Sequence, residues 1–324
     1  MKRLVAVVGP TGSGKSNLGI RIARELEGEI VGCDALQIYQ QLDIGTAKVP
    51  PGERGGIAHH LVDQVPPDEE FSAADYIKLA VPVIEDITRR KKLPVVVGGT
   101  GLYLRALRRG LFEGPGRSPK IRERLSRIAE RRGTKPLHRI LERWDRASAE
   151  RIHPNDGVRI IRALEVQLES GQPMSELMGA RRSPLTDFQV ILVGLKLSRE
   201  ELEKRIGSRV EKMFATGFAD EVRALCREHG EDLPAFKAIG YRETIDYLAG
   251  GLDEDRLLKA ITLATTQYAK RQMTWFRREE GVEWFGGSGD DASVQDAVLQ
   301  YLGQELGLGR PGQNEEIIRA ETAP

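Results

Sequence analysis

The sequence predicts an α/β fold in which a parallel-sheet core is interrupted by an all-helical domain. Three observations lead there. Apolar runs at Leu4–Val8, Glu29–Cys33, Pro94–Val97 and Val190–Leu197 alternate with amphipathic stretches, the pattern of strands covered on both faces by helices. The first run leads straight into the glycine-rich turn Gly9-Pro10-Thr11-Gly12-Ser13-Gly14-Lys15-Ser16, ahead of helical spacing. Strand signals vanish between Gly114 and Pro184 and resume at Val190, as an inserted helical block requires.

Each element follows from its own residues. The turn satisfies G-x-x-x-x-G-K-[ST] in the setting that gives the motif meaning: a strand before it, a helix of about Lys15–Leu26 after it. Backbone N–H groups at such a helix start can surround a diphosphate, so the core is expected to be P-loop NTPase-like. A second helix is predicted over Ala73–Arg89, with Ser72 as N-cap and Ile77, Val81, Ile84 and Ile87 at helical spacing. The insertion carries Ile121, Leu125 and Ile128 on one face, then Leu137, Ile140 and Leu141, then Val158, Ile161, Leu164 and Leu168. After Ser198 the chain reads as helical again. Gly286-Gly287-Ser288-Gly289 reads as a hinge before a last short helix, and the Gly-, Pro- and Glu-rich tail from Gly307 as disordered. The expected divisions are 1–112, first part of the core; 113–188, the helical insertion; 189–285, the rest of the core with a helical C-terminal segment; and 286–324.

Composition narrows the class. A net charge of +1 over 324 residues excludes a uniformly basic nucleic-acid binder. The stretch from Glu113 to Asp187 is different, with sixteen Lys/Arg against eleven Asp/Glu; this is either a local basic surface or ordinary solvated helix faces. Cys33 and Cys226 stand alone without metal-ligand spacing, so neither a disulfide framework nor a zinc site is expected. The first apolar run breaks at Gly9, too short for a signal-peptide core, and none approaches membrane-spanning length. The expectation is a soluble, cytoplasmic protein without membrane partners.

Ligands of parallel sheets bind beyond the carboxyl ends of the strands, which places Asp34 at the crevice of the phosphate loop. It is a candidate base; a capping aspartate in a turn is the alternative. Lys15 is a candidate point charge on phosphates and the Ser16 hydroxyl a candidate magnesium ligand. Gly98-Gly99-Thr100-Gly101 offers close backbone approach and one hydroxyl at the same edge. No carboxylate ends the run Val95-Val96-Val97, where a motor-type NTPase would put one for its metal. Arg205 and Arg209, four apart on a helix, could close over a diphosphate or be a solvated pair. From Tyr268 to Arg278 aromatics alternate with bases; Arg271, Trp275 and Arg278 share a helical face suited to single-stranded RNA, or else a core aromatic is flanked by surface arginines. His59 and His60 have no metal spacing and read as structural or polar-surface histidines.

Together these residues resemble the tRNA dimethylallyltransferases, also called tRNA isopentenyltransferases, from Leu4 to about Trp284. Gly9–Ser16 looks like the family's opening motif, Asp34-Ala35-Leu36-Gln37-Ile38-Tyr39 like its Asp-Ser-x-Gln-x-Tyr segment, and Asp43-Ile44-Gly45-Thr46-Ala47-Lys48 like the block that follows. Phe71–Tyr76, Gly98–Tyr103, Ile152–Asp156 with Arg159 and Arg162, Gly240-Tyr241-Arg242 and Lys270–Arg277 are similar too, in family order. Ala35 stands in place of the usual serine, and Ser118 in place of an aspartate ahead of Arg122; no appended zinc finger follows, as in bacterial members. The resemblance implies transfer of a dimethylallyl group from dimethylallyl diphosphate to N6 of adenosine A37 beside the tRNA anticodon, with Mg2+ as cofactor. It implies Asp34, Lys15, Thr100 and Arg209 as catalytic residues. Gly9, Thr11, Gly12, Ser13, Gly14, Lys15, Ser16, Arg205 and Arg209 would hold the diphosphate. The anticodon stem-loop would meet Asp34, Ala35, Leu36, Gln37, Thr100, Arg122, Arg159, Arg162, Gly240, Tyr241, Arg242, Lys270, Arg271, Gln272, Thr274, Trp275 and Arg277. A small-molecule enzyme of the same fold, such as an adenylate isopentenyltransferase or nucleotide kinase, is the first alternative. A non-catalytic RNA-binding protein is the second.

Overall fold

A computed structural model describes residues 1–112, 114–179 and 182–308. The expected disorder of the tail concerns residues beyond 308 and so lies outside them. The chain divides into two compact units, one of residues 1–107 with 187–324 and one of residues 108–186.

The first unit is built on six parallel strands: β1 (Lys2–Val8), β2 (Gly28–Gly32), β3 (His59–His60), β4 (Leu93–Val97), β5 (Phe188–Lys196) and β6 (Val282–Gly286). Their order is β3-β2-β4-β1-β5-β6. At the centre Val5, Ala6 and Val7 pair with Val95, Val96 and Val97 on one side and with Ile191, Leu192 and Val193 on the other. These strands are unbroken apolar runs because both faces are covered. On one side Leu18, Ile22 and Ala23 of α1 (Lys15–Glu25) join Val294, Val298 and Leu302 in a single buried cluster with Val5, Val7 and Val193. Fully burying each such side chain contributes about 1.5–3 kcal/mol.

The helix α2 (Ala73–Arg89) spans the residues expected of it. Ser72 Oγ accepts the Asp75 N–H while the Asp75 carboxylate accepts the Ser72 N–H, a capping box. After it come β4 and α3 (Gly101–Arg109). Four helices follow β5: α9 (Arg199–Ala215), α10 (Phe218–His229), α11 (Tyr241–Leu248) and α12 (Glu254–Phe276), with α13 (Ala292–Glu305) closing the unit after β6. Ile206 and Val210 of α9 meet Leu257, Ile261 and Ala269 of α12 in a second cluster.

Three sequence expectations fail here. The chain after Ser198 is not all helical, because Val282–Gly286 adds the edge strand β6 to β5; its half-buried residues make too short a run to stand out. The reading of His59 and His60 as structural is not among them: they form the two-residue edge strand β3, in which His60 Nε2 meets the buried Glu29 carboxylate at 2.8 Å. The stretch 286–289 is no hinge: the Gly287 N–H donates to Lys196 O at 3.0 Å, the Gly289 N–H to Ser13 O at 2.9 Å, and Ser288 is buried. The helix beyond it is no short one but runs for 14 residues.

The second unit holds α4 (Pro119–Arg132), α5 (Lys135–Trp144), α6 (Arg146–Arg151), α7 (Gly157–Ser170) and α8 (Met174–Gly179). Leu125, Leu137, Leu141, Ile160, Ala163 and Leu164 close its own core. Asp145 and Asp156 cap α6 and α7 through the N–H groups of Ser148 and Arg159. Ser118, at the N-cap of α4, makes no side-chain cap bond, and Pro119 opens the helix instead.

Candidate active site

The carboxyl ends of β1, β2 and β4 are tied together by backbone. The Cys33 N–H donates to Val97 O at 2.8 Å, Thr100 N–H to Cys33 O at 3.2 Å and Gly98 N–H to Val7 O at 3.3 Å. A β-carbon on Gly98 would collide with the Cys33 carbonyl, so this joint requires glycine. The phosphate loop, the Asp34 turn and the Gly98–Gly101 turn therefore meet at one edge, where β1 and β4 lead their connections apart. They line a cavity of about 1020 Å3 with residues of α9 and α12.

The loop ends in Gly14 at φ 80, a left-handed residue that caps α1 without a side chain. Such a helix start leaves its first N–H groups for an anion. Lys15 Nζ donates to Pro10 O at 2.6 Å and Arg209 Nη1 to Thr11 Oγ1 at 2.9 Å, so two cations flank the loop. Desolvation lowers the Lys15 ammonium to about 8, opposed by the Asp34 carboxylate and assisted by Arg209. Burial also lowers Arg209, again against the pull of Asp34. These are the marks of positive charge held short of solvent, ready for an anionic ligand.

Asp34 is the turn aspartate its position allowed, and it also faces the cavity. Its Oδ1 accepts the N–H groups of Leu36 at 2.9 Å and Gln37 at 3.4 Å, a turn-forming contact. Oδ2 has no hydrogen-bond partner among the described residues, and Asp34 lines the cavity. Thr100 Oγ1 accepts the Ala35 N–H at 3.0 Å, which locks the residue after Asp34 to the neighbouring turn. The missing serine hydroxyl at Ala35 therefore leaves the backbone anchor intact. Gln37 Nε2 reaches the carbonyls of Thr46 at 3.1 Å and Ala47 at 3.3 Å.

Several expected contact residues turn out to be internal struts. Gln272 is buried, its Oε1 accepting the Thr11 N–H at 2.8 Å and its Nε2 donating to Gly99 O at 2.9 Å, so its amide is spent bridging two loops of the site. Tyr241 is fully buried, and its hydroxyl donates to Glu221 at 2.8 Å. The Gly240 N–H is taken by Glu243 at 2.9 Å. Trp275 has its indole edge against Gly101 and the Arg105 guanidinium 4.2 Å over its ring, with Arg105 in turn paired to the buried Glu279. That ring is packed rather than an open stacking platform, and α12 ends at Phe276, so Arg277 and Arg278 do not continue its face. Arg205 also lines the cavity, but its guanidinium donates to Gly12 O at 2.8 Å and pairs with Asp290.

In the helical unit Arg122 and Arg162 share one buried carboxylate. Glu165 accepts Arg122 Nε at 2.7 Å and Nη2 at 2.9 Å, Arg162 Nη1 at 2.6 Å and the Ser118 N–H at 2.8 Å. Although burial opposes it, these partners hold the Glu165 carboxyl at about 2. Arg159 lies on the surface, paired among the described residues with Asp156 at 3.3 Å. Arg242, Lys270, Arg271, Thr274 and Arg277 are exposed.

Sequence reasoning overlooked Glu221. Its carboxylate accepts the successive N–H groups of Asp43, Ile44 and Gly45 at 2.9, 2.6 and 3.1 Å and so fixes the block that holds Gln37. Nothing in local spacing signals a partner 176 or more residues away. Tyr268, whose hydroxyl burial pushes up to about 12, and His59 also line the cavity unannounced.

The family pattern described as IPP transferase matches residues 37–279. A tRNA dimethylallyltransferase of Koribacter versatilis is 46% identical over 299 residues, 92% of this chain and 97% of that protein. One of Solibacter usitatus is 46% identical over 307 residues, covering 93% and 99%. The solved tRNA isopentenylpyrophosphate transferase of Bacillus halodurans has a TM-score of 0.69 at 35% identity, covering 95% of this chain and 99% of that one. A eukaryotic dimethylallyltransferase acting on tRNA has a TM-score of 0.77 at 28% identity, covering 92% and 78%. With a phosphate loop, a carboxylate and two cations gathered at one sheet edge, and relatives this similar over nearly their full length, the chain belongs to the IPP transferase family.

Proposed function

We propose that this protein transfers a dimethylallyl group from dimethylallyl diphosphate to N6 of adenosine A37, next to the anticodon of a tRNA, releasing diphosphate. The observation that carries the reading is Asp34 facing the same cavity as Lys15, Arg209 and the loop N–H groups. Relatives named tRNA dimethylallyltransferase supply the acceptor class.

The chemistry follows from the groups present. An adenine amine is a weak nucleophile because its lone pair is delocalised into the ring. As N6 attacks C1 of the donor, the C1–O bond breaks and its electron pair leaves on the diphosphate. The N6 proton passes to Asp34 Oδ2, a general-base contribution of about 10²–10⁴-fold. Lys15, Arg209 and the loop N–H groups stabilise the charge on the leaving diphosphate. Ser16 supplies one hard oxygen at the loop, and no cluster of three or more His, Cys, Asp or Glu is present among the described residues. That donor set fits Mg2+ held by one or two protein ligands plus substrate oxygens; the ion would neutralise charge on the diphosphate.

The target base must leave its stack to reach the cavity, at a cost of a few kcal/mol. Leu36 and Gln37, which line the cavity, would meet it there, and Thr100, whose hydroxyl accepts the Ala35 N–H, would support that edge. Exposed Arg159, Arg242, Lys270, Arg271, Thr274 and Arg277 would take RNA backbone and loop bases, and the helical unit would serve as an anticodon stem-loop clamp. No described helix is long and apolar enough to cross a membrane. The test is to incubate the protein with labelled dimethylallyl diphosphate and either tRNA, AMP or no acceptor. Label is expected on tRNA alone and without ATP turnover; label on AMP, or stoichiometric ATP hydrolysis, would sink the reading.

A further inference from the structure

The loop between β6 and α13, at first sight a hinge, is seated against the phosphate loop. A β-carbon placed on Gly14 would come within 2.8 Å of Asp290 N and 2.9 Å of both Gly289 N and Ser288 Oγ. The approach is equally close in reverse, since a β-carbon on Gly289 would strike the Gly14 carbonyl. The Gly289 N–H donates to Ser13 O at 2.9 Å, and Gln295 of α13 holds the Gly289 carbonyl at 2.8 Å. Asp290 then ties three pieces together. Its Oδ1 accepts Asn17 Nδ2 of α1 at 2.7 Å, and its Oδ2 accepts Ser288 Oγ at 3.1 Å and pairs with Arg205. Arg205 in turn donates to Gly12 O at 2.8 Å.

From this we infer that Asp290 is a positioning residue for the diphosphate: through Arg205 and Asn17 it fixes Gly12 and the first turn of α1, so that the loop N–H groups are aimed before the ligand arrives. Arg205 thereby acts on the loop and Arg209 on the ligand. The inference rests on the proposed prenyl transfer only for its consequence in turnover; its consequence for anion binding stands separately. Preorganised donors bind an anion more tightly than donors that must be gathered.

The sign of the effect separates this from plain electrostatics. An acidic side chain beside an anion site repels the anion, so if Asp290 merely sat there its removal would tighten binding. A positioning role predicts the reverse. Inorganic diphosphate titrated calorimetrically into the full-length protein is expected to bind Asp290→Ala about tenfold more weakly than wild type. Asp290→Asn, which keeps one acceptor oxygen, should fall between, and Gly289→Ala should weaken binding by wedging the Gly14 carbonyl. Affinity for tRNA should not change. Unchanged or tighter diphosphate binding in Asp290→Ala overturns the inference. If that variant does not fold, Asn17→Ala, which removes one of the three ties, should weaken diphosphate binding about threefold, and equality with wild type overturns it equally. Wild type that binds diphosphate but labels no tRNA defeats the proposed function and leaves this inference standing.

Discussion

Arginine has opposite fates in the two units. At the sheet edge Arg209 is desolvated, its hydrogen bond among the described residues goes to the Thr11 hydroxyl, and the opposite charge that acts on it, Asp34, is held by its own turn. In the helical unit Arg122 and Arg162 are consumed by Glu165, which also takes the Ser118 N–H. One arrangement keeps positive charge waiting for a ligand, and the other uses it to fix how α4 and α7 meet. A buried carboxylate decides which, because a paired guanidinium has little left to offer an incoming phosphate.

If the sheet edge is the chemical half, Asp34→Ala is the substitution with the largest effect. Single-turnover prenyl transfer should fall by about 10² or more, with tRNA affinity nearly unchanged, since the carboxylate is needed as the C–N bond forms rather than for docking. Quenched-flow transfer of label to bound tRNA measures this. A rate within a few-fold of wild type would take the role of base away from Asp34 and leave it a turn aspartate only.

The waiting charge also predicts a pH dependence. With Lys15 at about 8, diphosphate affinity should weaken by about tenfold per pH unit above that value as the ammonium is lost. Binding should take up protons there, visible as a buffer-dependent heat. Folding stability moves the other way: the unfolded chain, whose lysine titrates near 10.5, holds more protons between about 8 and 10.5, so this group's contribution rises with pH across that window. Lys15→Met should abolish the break in affinity near 8 together with most of the binding. A break that persists in Lys15→Met would assign it to another group.

What the sequence discloses differs between these two halves for a physical reason. The strands of the central sheet, the capping box at Ser72 and the phosphate loop are local: a run of valines, a serine three residues before an aspartate, glycines at fixed spacing. Each could be read from its neighbours in the chain. Asp34 and Thr100 needed only the rule that parallel strands end at a common edge. By contrast Gln272 lies 261 residues from Thr11, Glu221 176 from Gly45 and Asp290 85 from Arg205. Whether an arginine or glutamine faces a ligand or a carboxylate depends on such partners, and composition gives them no mark. The edge strands β3 and β6 were missed because two and five residues, half-buried, carry little periodicity.

Arg159 and Arg162, one helical turn apart on α7, sharpen the comparison to its finest point. The Arg159 side chain is 61% exposed and, among the described residues, pairs with the partly exposed Asp156, a pair worth little in water. That of Arg162 is 28% exposed, bonded to Glu165 and to the Pro115 and Gly116 carbonyls. Arg159→Ala should therefore leave thermal stability unchanged and flatten the dependence of log K on log salt for an anticodon stem-loop by about 0.7, the loss of one phosphate contact. Arg162→Ala should instead lower the stability of the helical unit, because Glu165 loses one of the two cations that offset its burial; the cost is about 3 kcal/mol, at the low end for a broken buried pair since Arg122 remains. Its salt slope should stay near that of wild type once the protein is folded at low temperature. Melting curves and binding titrations at several salt concentrations on the two variants decide between the fates. If Arg162→Ala flattens the slope as Arg159→Ala does while melting normally, the Glu165 cluster is no lock on that arginine, and both side chains belong to the RNA.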